Sequence, residues 1–431
     1  MRYTTINPGL FRRNRRKLAG RLEKGSVALI HANDQMVRNG DQYYPYRQNS
    51  DLFYLSGIEQ EMSVLMICPD HPDKRKQHML FIRKPEPGLE TWEGKKLDKA
   101  KAGKISGIEG VYWLEDFDSL SRPLILQSKA IYCSIPELEK FKPEYMLRDE
   151  RKMEEMKKEY PLLEYKRLAA LMTSLRLVKE PEELSLVKEA IGITGKGLKR
   201  ILGFVKPGVY EYEVEAELSH EFIRLGGGGH AYQPIIASGG NACMLHYTRN
   251  DQICREGDLL LMDFGAEYAN YASDCSRTIP INGRFSMRQK QLYNACLKVM
   301  RDANSLIKPG TTIEKVNEQV GKLWEEEHIK LGLYSNRDVA EQSGEKPLYR
   351  KFYPHGTSHF MGLDVHDVGS KQEVLQEGML LTCEPGIYIA DEGTGIRLEN
   401  DIMITKNGNL DLMEDFPIEA EEIEELMNRA T

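Results

Sequence analysis

Residues 256–265 read EGDLLLMDFG, and residues 377–386 read EGMLLTCEPG. Both fit the pattern Glu-Gly-x-Leu-Leu-x-x-acid-x-Gly, with Asp263 or Glu384 as the acid. Each apolar run is too short for a helix and reads as a buried strand with a carboxylate at its end. What precedes each run repeats as well. LKRILGFVKPG (198–208) leads into the helix-compatible EYEVEAELSHEFIRL, and MRDANSLIKPG (300–310) leads into IEKVNEQVGKLWEEE. Matches in the same order along the chain indicate a duplicated unit of helix, KPG turn, helix and strands. Two copies are too few to stack as a solenoid. They are expected to face each other as pseudo-symmetric halves of one domain.

Each acid has a sequel in the next extended segment: Asp274 in YASDCSRTIPI and Glu399 in GTGIRLENDIMI. Glycine and small polar residues in between allow a hairpin, which would bring two carboxylates together across paired strands in each half. One acid at a strand end is most simply a turn or cap residue. Four at repeated positions are different, because converging carboxylates repel unless cations neutralise them. Two divalent ions are the natural number for four carboxylates, and two-metal sites activate water and clamp both ends of a displacement.

A third stretch, HGTSHFMGLDVHDVG (355–369), gathers His355, His359 and His366, three of the chain's ten histidines. His355 and His359 have the i, i+4 spacing of a helical metal pair, but Gly356 and the β-like LDVHDV oppose a helix. One histidine ligand with two helpers is the expectation, and the spacing does not say which. An oxygen-rich, nitrogen-poor set suits a metal such as manganese better than a thiolate zinc site.

Composition limits the alternatives. The 431 residues carry a net charge of −7, so no broad basic surface for nucleic acid or an anionic membrane is expected. No apolar run approaches the roughly 18 residues of a spanning helix. The seven scattered cysteines form no CxxC pair, which points away from a disulfide framework and towards a reducing cytoplasm. The opening MRYTTINPGLFRRNRRKLAGRL is Arg-rich but lacks the apolar core of a secretory signal, and reads as a basic surface helix.

Residues 26–135 contain SVALIHA, SVLMICP, HMLFIR, GVYWL and KAIYCSI, alternating with polar helix-compatible segments, as in a small α/β domain. A highly charged stretch follows from 148, and Pro181 with neighbouring acids opens a new helix. The boundary is therefore placed near 172, giving domains 1–172 and 173–431. Gly226–Gly229 lacks the Lys-Ser/Thr of a phosphate loop, and His220-Glu221 is not followed by a second histidine as HExxH requires. Ser238 and Ser358 lack an evident base and oxyanion arrangement. The acidic EAEEIEEL (419–426) reads as a solvated helix.

With these residues in view, the chain resembles the Xaa-Pro aminopeptidase (aminopeptidase P) branch of the pita-bread metallopeptidases. The resemblance runs nearly end to end through YPYRQNSDLFYLSG (44–57), LHYTRND (245–251), LMDFGAEYANYASDCSRTIP (261–280), HGTSHFMGLDVHDVG, TCEPGIYI (382–389) and GIRLENDI (395–402). It implies a creatinase/prolidase-like α/β N-terminal domain serving oligomerisation and substrate access, followed by an α+β pita-bread catalytic domain of pseudo-twofold halves. It further implies that Asp263 chelates one metal, that His359 and Glu384 bind the other, and that Asp274 and Glu399 bridge the two.

By the same resemblance, His246 and His366 contact substrate and developing oxyanion, and Glu384 serves as the acid–base group. His355 and Arg397 border the proline pocket, with Tyr388 and Tyr232 nearby, and Trp92 reaches a neighbouring subunit of a homodimer or homotetramer. The implied reaction is removal of the first residue from peptides with proline second, through attack of a hydroxide bridging two Mn2+ ions. A prolidase confined to dipeptides is the nearest alternative, and an inactive peptide-binding module of the same fold is the other. All five ligand positions are filled, which disfavours the inactive module.

Overall fold

The computed structural model describes residues 3–138, 143–342 and 347–429. The chain forms two compact units, Thr4–Arg176 and Leu177 onward. Among the described residues no helix is long and apolar enough to cross a membrane.

The first unit is built on a mixed six-stranded sheet among the described residues. Its order across the sheet is Gly110–Trp113, His78–Ile82, Val64–Ile67, Ser26–His31, Ala130–Cys133 and Glu164–Arg167. Five of these are the apolar runs read from the sequence. Ser26–His31 is buried along its whole length and pairs antiparallel with Val64–Ile67 and parallel with Ala130–Cys133. Val27, Leu29, Met66, Phe81 and Ile131 belong to one core cluster on this sheet. The sixth strand, EYKR, gave no apolar signal because it lies at the sheet edge, where charged side chains are favoured.

The basic N-terminal segment does form a helix, Pro8–Ala19, capped by Asn7 with proline in its first turn. It is more than a surface helix, however. Leu10, Phe11, Leu18 and even Arg15 are buried. The Arg15 guanidinium donates to the carbonyls of Leu55 at 2.6 Å and Gly107 at 3.3 Å. Those carbonyls belong to the C-terminal ends of helices Ser50–Ser56 and Lys99–Ser106, where a cation meets unpaired carbonyls and the negative end of the helix dipole. The expected boundary at 172 falls inside helix Ala169–Arg176. That helix stays with the first unit because Met172 and Leu175 are buried and Arg176 pairs with Asp51 at 2.8 Å.

The second unit carries the duplication. Helices Pro181–Leu202 and Glu211–Arg224 pack together, as do Met287–Leu306 and Ile313–Lys330. Each KPG turn ends in a glycine at positive φ, Gly208 at 94° and Gly310 at 84°. Each of these glycines donates its N–H to a carbonyl at 2.9 Å, that of Cys254 or Leu375. The Glu-Gly pairs repeat the match, with φ of 87° at Gly257 and 86° at Gly378. Side chains other than glycine rarely adopt this conformation, so both halves need glycine at the same points.

Strand Leu259–Phe264 pairs antiparallel with Ile235–Ser238 and with Cys275–Pro280. In the other half Leu380–Cys383 pairs antiparallel with Asn400–Ile404. Register places the acids. The last pairs are Phe264 with Cys275 and Cys383 with Asn400, so Asp274, Glu384 and Glu399 lie just beyond the ladder and Asp263 one step inside it. Near Pro385, which has no N–H, the second strand stops two residues sooner than the first, which runs on through the counterpart Phe264. The halves join directly: Glu399 N–H donates to Ser276 O at 3.1 Å, and Arg397 N–H donates to Thr278 Oγ1 at 3.2 Å.

Two readings change. LDVHDV forms neither helix nor strand; it lies in an irregular loop anchored by a bridge between Phe360 and Leu381. The acidic segment is a helix, Ala420–Arg429, that buries Ala420, Ile423 and Met427, so only its acidic face is solvated.

A Cβ on Gly265 would sit 1.8 Å from the Ser273 carbonyl oxygen, inside the hairpin that separates Asp263 from Asp274. Gly265→Ala is therefore expected to destabilise the second unit by about 3 kcal/mol, the upper end for overpacking. Urea denaturation checks this, and unchanged stability would show that the hairpin gives way freely.

Candidate active site

A cavity of about 330 Å³ lies wholly within the second unit. Asp263, Asp274, His359, Glu384 and Glu399 line it together with Tyr232, His246, His355, His366 and Arg397. All ten are residues singled out in the sequence. Tyr388 stands behind the wall, buried and hydrogen-bonded to two of them. Trp92 is not in this cavity; it lies on helix Pro87–Glu93 of the first unit and is 85% exposed.

The acids differ in setting. Asp274 and Glu399 are 4% and 1% exposed, whereas Asp263 and Glu384 are half-buried. Asp274, His359 and Glu399 each offer a ligand atom, all within 4.8 Å of one another. His359 Nε2 is 3.3 Å from Asp274 Oδ2 and 3.8 Å from Glu384 Oε1. The other ring nitrogen, Nδ1, lies 3.1 Å from the Phe360 carbonyl. With Nδ1 donating there, a bound metal would find Nε2 as a lone pair beside the carboxylates, the arrangement a metal-binding histidine uses.

Asp263 is tied by Arg397 Nη2 at 2.6 Å and by the Tyr232 hydroxyl at 2.6 Å, and that hydroxyl also meets Asp274 Oδ1. One hydroxyl hydrogen cannot serve two carboxylate oxygens, so one of these contacts needs an added positive charge to be favourable. Burial pushes the Glu384 carboxyl up to about 7, against the pull of His359 and Arg397. Burial and the charge of Asp274 push Glu399 well above the usual range. Burial alone would lower His359, but the Asp274 hydrogen bond and the Glu384 charge raise it. The cluster thus holds more negative charge than Arg397 can balance. Its oxygen and imidazole donors fit hard or borderline divalent ions.

His355 belongs to a different network. Its Nδ1 lies 2.8 Å from Gly356 O, and its Nε2 lies 2.8 Å from the Tyr388 hydroxyl. Arg397 Nη1 donates to that hydroxyl at 2.8 Å. Tyr388 therefore passes its own proton towards His355 Nε2, which fixes a neutral ring. Burial and the nearby Arg397 lower the His355 pKa to about 3, in agreement. His246 and His366 are exposed at the cavity mouth. The His366 ring lies edge-to-face with His359, centroids 4.4 Å apart.

Several supporting residues carried no signal of their own in the sequence. Ser276 Oγ donates to Glu399 Oε2 at 2.7 Å and accepts from Arg397 Nε at 2.9 Å. Thr382 Oγ1 accepts from His359 N–H at 3.2 Å. Asp401 accepts from Asp274 N–H at 3.2 Å, and burial together with the Asp274 charge pushes its carboxyl well above the usual range. The one available hint was period-two spacing along extended chain, which puts Ser276 on the face of Asp274 and Asp401 on the face of Glu399.

Residues 185–406 match the model of metallopeptidase family M24, and residues 11–132 match that of the aminopeptidase P N-terminal domain. A Haemophilus influenzae Xaa-Pro aminopeptidase is 34% identical over 430 residues, covering 97% of each chain. The solved structure of Escherichia coli aminopeptidase P with the inhibitor Pro-Leu superposes with a TM-score of 0.88 at 33% identity, over 99% of both chains. A zinc-substituted form of the E. coli enzyme in complex with product gives a TM-score of 0.88 at 32% identity, over 99% of this chain and all of that one.

Ser276→Ala removes a partner of both Glu399 and Arg397. It is expected to weaken divalent-metal affinity by about 10- to 100-fold, the usual cost of losing a group that orients a ligand. Chelator competition checks this, and unchanged affinity would mean that Glu399 is oriented without it.

Proposed function

We propose, for a chain that belongs to metallopeptidase family M24, that it is an Xaa-Pro aminopeptidase removing the first residue from peptides with proline second. One observation carries the reading: four carboxylates and an imidazole from the two duplicated halves converge on one cavity. The relatives' names and the Pro-Leu ligand of the E. coli structure agree with it.

Four carboxylates and one imidazole suit two divalent ions, most simply Mn2+. Asp263 would hold one, His359 with Glu384 the other, and Asp274 and Glu399 both. Such ions lower the pKa of water towards neutrality and polarise the scissile carbonyl. Glu384 takes the proton of the attacking water and returns it to the prolyl nitrogen as that nitrogen leaves. His366 donates a hydrogen bond to the developing oxyanion, typically worth about 2.7–4 kcal/mol for one good donor.

Proline has no N–H and a fixed φ, so it is recognised by shape. The neutral His355 ring, held by Tyr388 and Arg397, offers a rigid wall for it. His246 borders the substrate from the other side of the mouth, and Tyr232 keeps Asp263 and Asp274 in place. The first unit serves oligomerisation and substrate access, with the exposed Trp92 reaching a neighbouring subunit of a homodimer or homotetramer. A cytoplasmic location suits the free cysteines.

The manganese-supplemented protein is expected to cleave Xaa-Pro-Xaa tripeptides in preference to Gly-Pro, and to lose activity to a chelator. Asp274→Ala should cost more than about 100-fold, beyond the range for an outer partner of a metal ligand. Equal activity of wild type and variant would reject the metal site. Hydrolysis of the dipeptide alone would replace the aminopeptidase by a prolidase.

A further inference from the structure

His366 stands on an irregular loop at the cavity mouth, exposed apart from contacts such as its edge-to-face packing on His359. The loop beneath it is nevertheless closed at three points. At its neck, Asp367 N–H donates to Phe360 O at 2.8 Å, joining its two ends. On one side, Gly362 O accepts from Ala272 N–H at 2.8 Å, two residues before Asp274. Underneath, Asp367 Oδ2 meets Lys179 Nζ at 2.9 Å, with the two side chains 1% and 3% exposed.

Lys179 is itself fixed. Its N–H donates to Gly378 O at 2.8 Å, and Val178 bridges Met379, so the lysine is stitched to the segment that runs into Glu384. The loop is shaped to this ion pair. A Cβ on Gly362 would lie 2.4 Å from Asp367 Oδ2 and 2.8 Å from Lys179 Nζ, so the pair occupies the space a side chain would need. Glu183, whose Oε1 accepts from the Tyr271 hydroxyl at 3.0 Å, also lies near the lysine, whose charge opposes the burial that raises this carboxyl to about 7. Buried ion pairs give little net stability, and replacing both partners by apolar residues is often neutral or stabilising. What this pair fixes is the position of the residue next to Asp367.

We propose that Lys179 and Asp367 are positioning residues that hold the His366 imidazole over the reacting carbonyl. This rests on the aminopeptidase reading above. Neither residue touches substrate; they act through the loop between His359 and His366.

The test compares wild type with Lys179→Met, Lys179→Arg and the apolar double variant Lys179→Met/Asp367→Leu. Three things are measured: kcat and KM on an Xaa-Pro-Xaa peptide, bound metal, and histidine ring resonances of the metal-free protein labelled in histidine. The double variant is expected to melt at or above the wild-type temperature and to bind metal normally. Its kcat should fall about 10- to 100-fold, as misplacement of a reacting group by about 1 Å does, with KM within threefold and the His366 resonances displaced. Lys179→Arg should recover part of the kcat lost in Lys179→Met.

A double variant with wild-type kcat and unmoved His366 resonances would make the pair purely structural. Loss of kcat together with bound metal would place its effect on the metal site and equally overturn the proposal. If the double variant does not fold, Lys179→Met decides, since it also breaks the pair: wild-type kcat with unmoved resonances rejects the proposal. Inactivity of the wild type would reject the aminopeptidase reading, while the resonances of the metal-free variants would still judge the positioning role.

Discussion

Mutual repulsion among buried carboxylates is the constraint on which the second unit is organised. Asp263, Asp274, Glu384 and Glu399 share a cavity of about 330 Å³, and Arg397 is the cation that reaches into it. A folded chain does not ordinarily accept this, since each buried charge without a partner costs several kcal/mol. Hydrogen bonds from Ser276, Tyr232 and Arg397 soften the cost without removing it. The site is strained towards binding positive charge, and the family to which the chain belongs uses that property for hydrolysis.

Duplication explains how so much acid reaches one point. An Asp or Glu at the end of a buried strand, with a second acid opening the partner strand, is a local pattern that one half can encode. Facing two such halves brings the acids together without any long-range design at each position. What distinguishes the halves is added on top. The 355–369 loop supplies His355, His359 and His366 to one side, and the segment before Ile235–Ser238 supplies Tyr232 to the other. The pseudo-symmetric frame therefore builds the cluster, and the asymmetric loops add the histidines and the tyrosine that line the same cavity.

Local patterns were legible in the sequence, and long-range ones were not. The five apolar strands of the first unit are local runs, and the KPG turns and acid-ended strands are short patterns that recur in a second copy. The edge strand Glu164–Arg167 was missed because its charged residues are what an edge requires. Arg15 read as surface because its partners are backbone carbonyls, which leave no mark in composition. Ser276 meets Glu399 across 123 residues, and Lys179 meets Asp367 across 188, distances over which no spacing rule operates. LDVHDV reads as β-like from its alternation, but the loop that contains it is held by one bridge, by backbone bonds such as Asp367 N–H to Phe360 O, and by side-chain contacts.

The account stands on the claim that the acids converge around a pair of divalent ions. Anomalous diffraction from crystals grown with manganese tests it directly. Two peaks should appear in the cavity, both in reach of Asp274 and Glu399, with Asp263 at one and His359 with Glu384 at the other. A cavity without anomalous signal, its carboxylates paired with protons or with Arg397 alone, would contradict it.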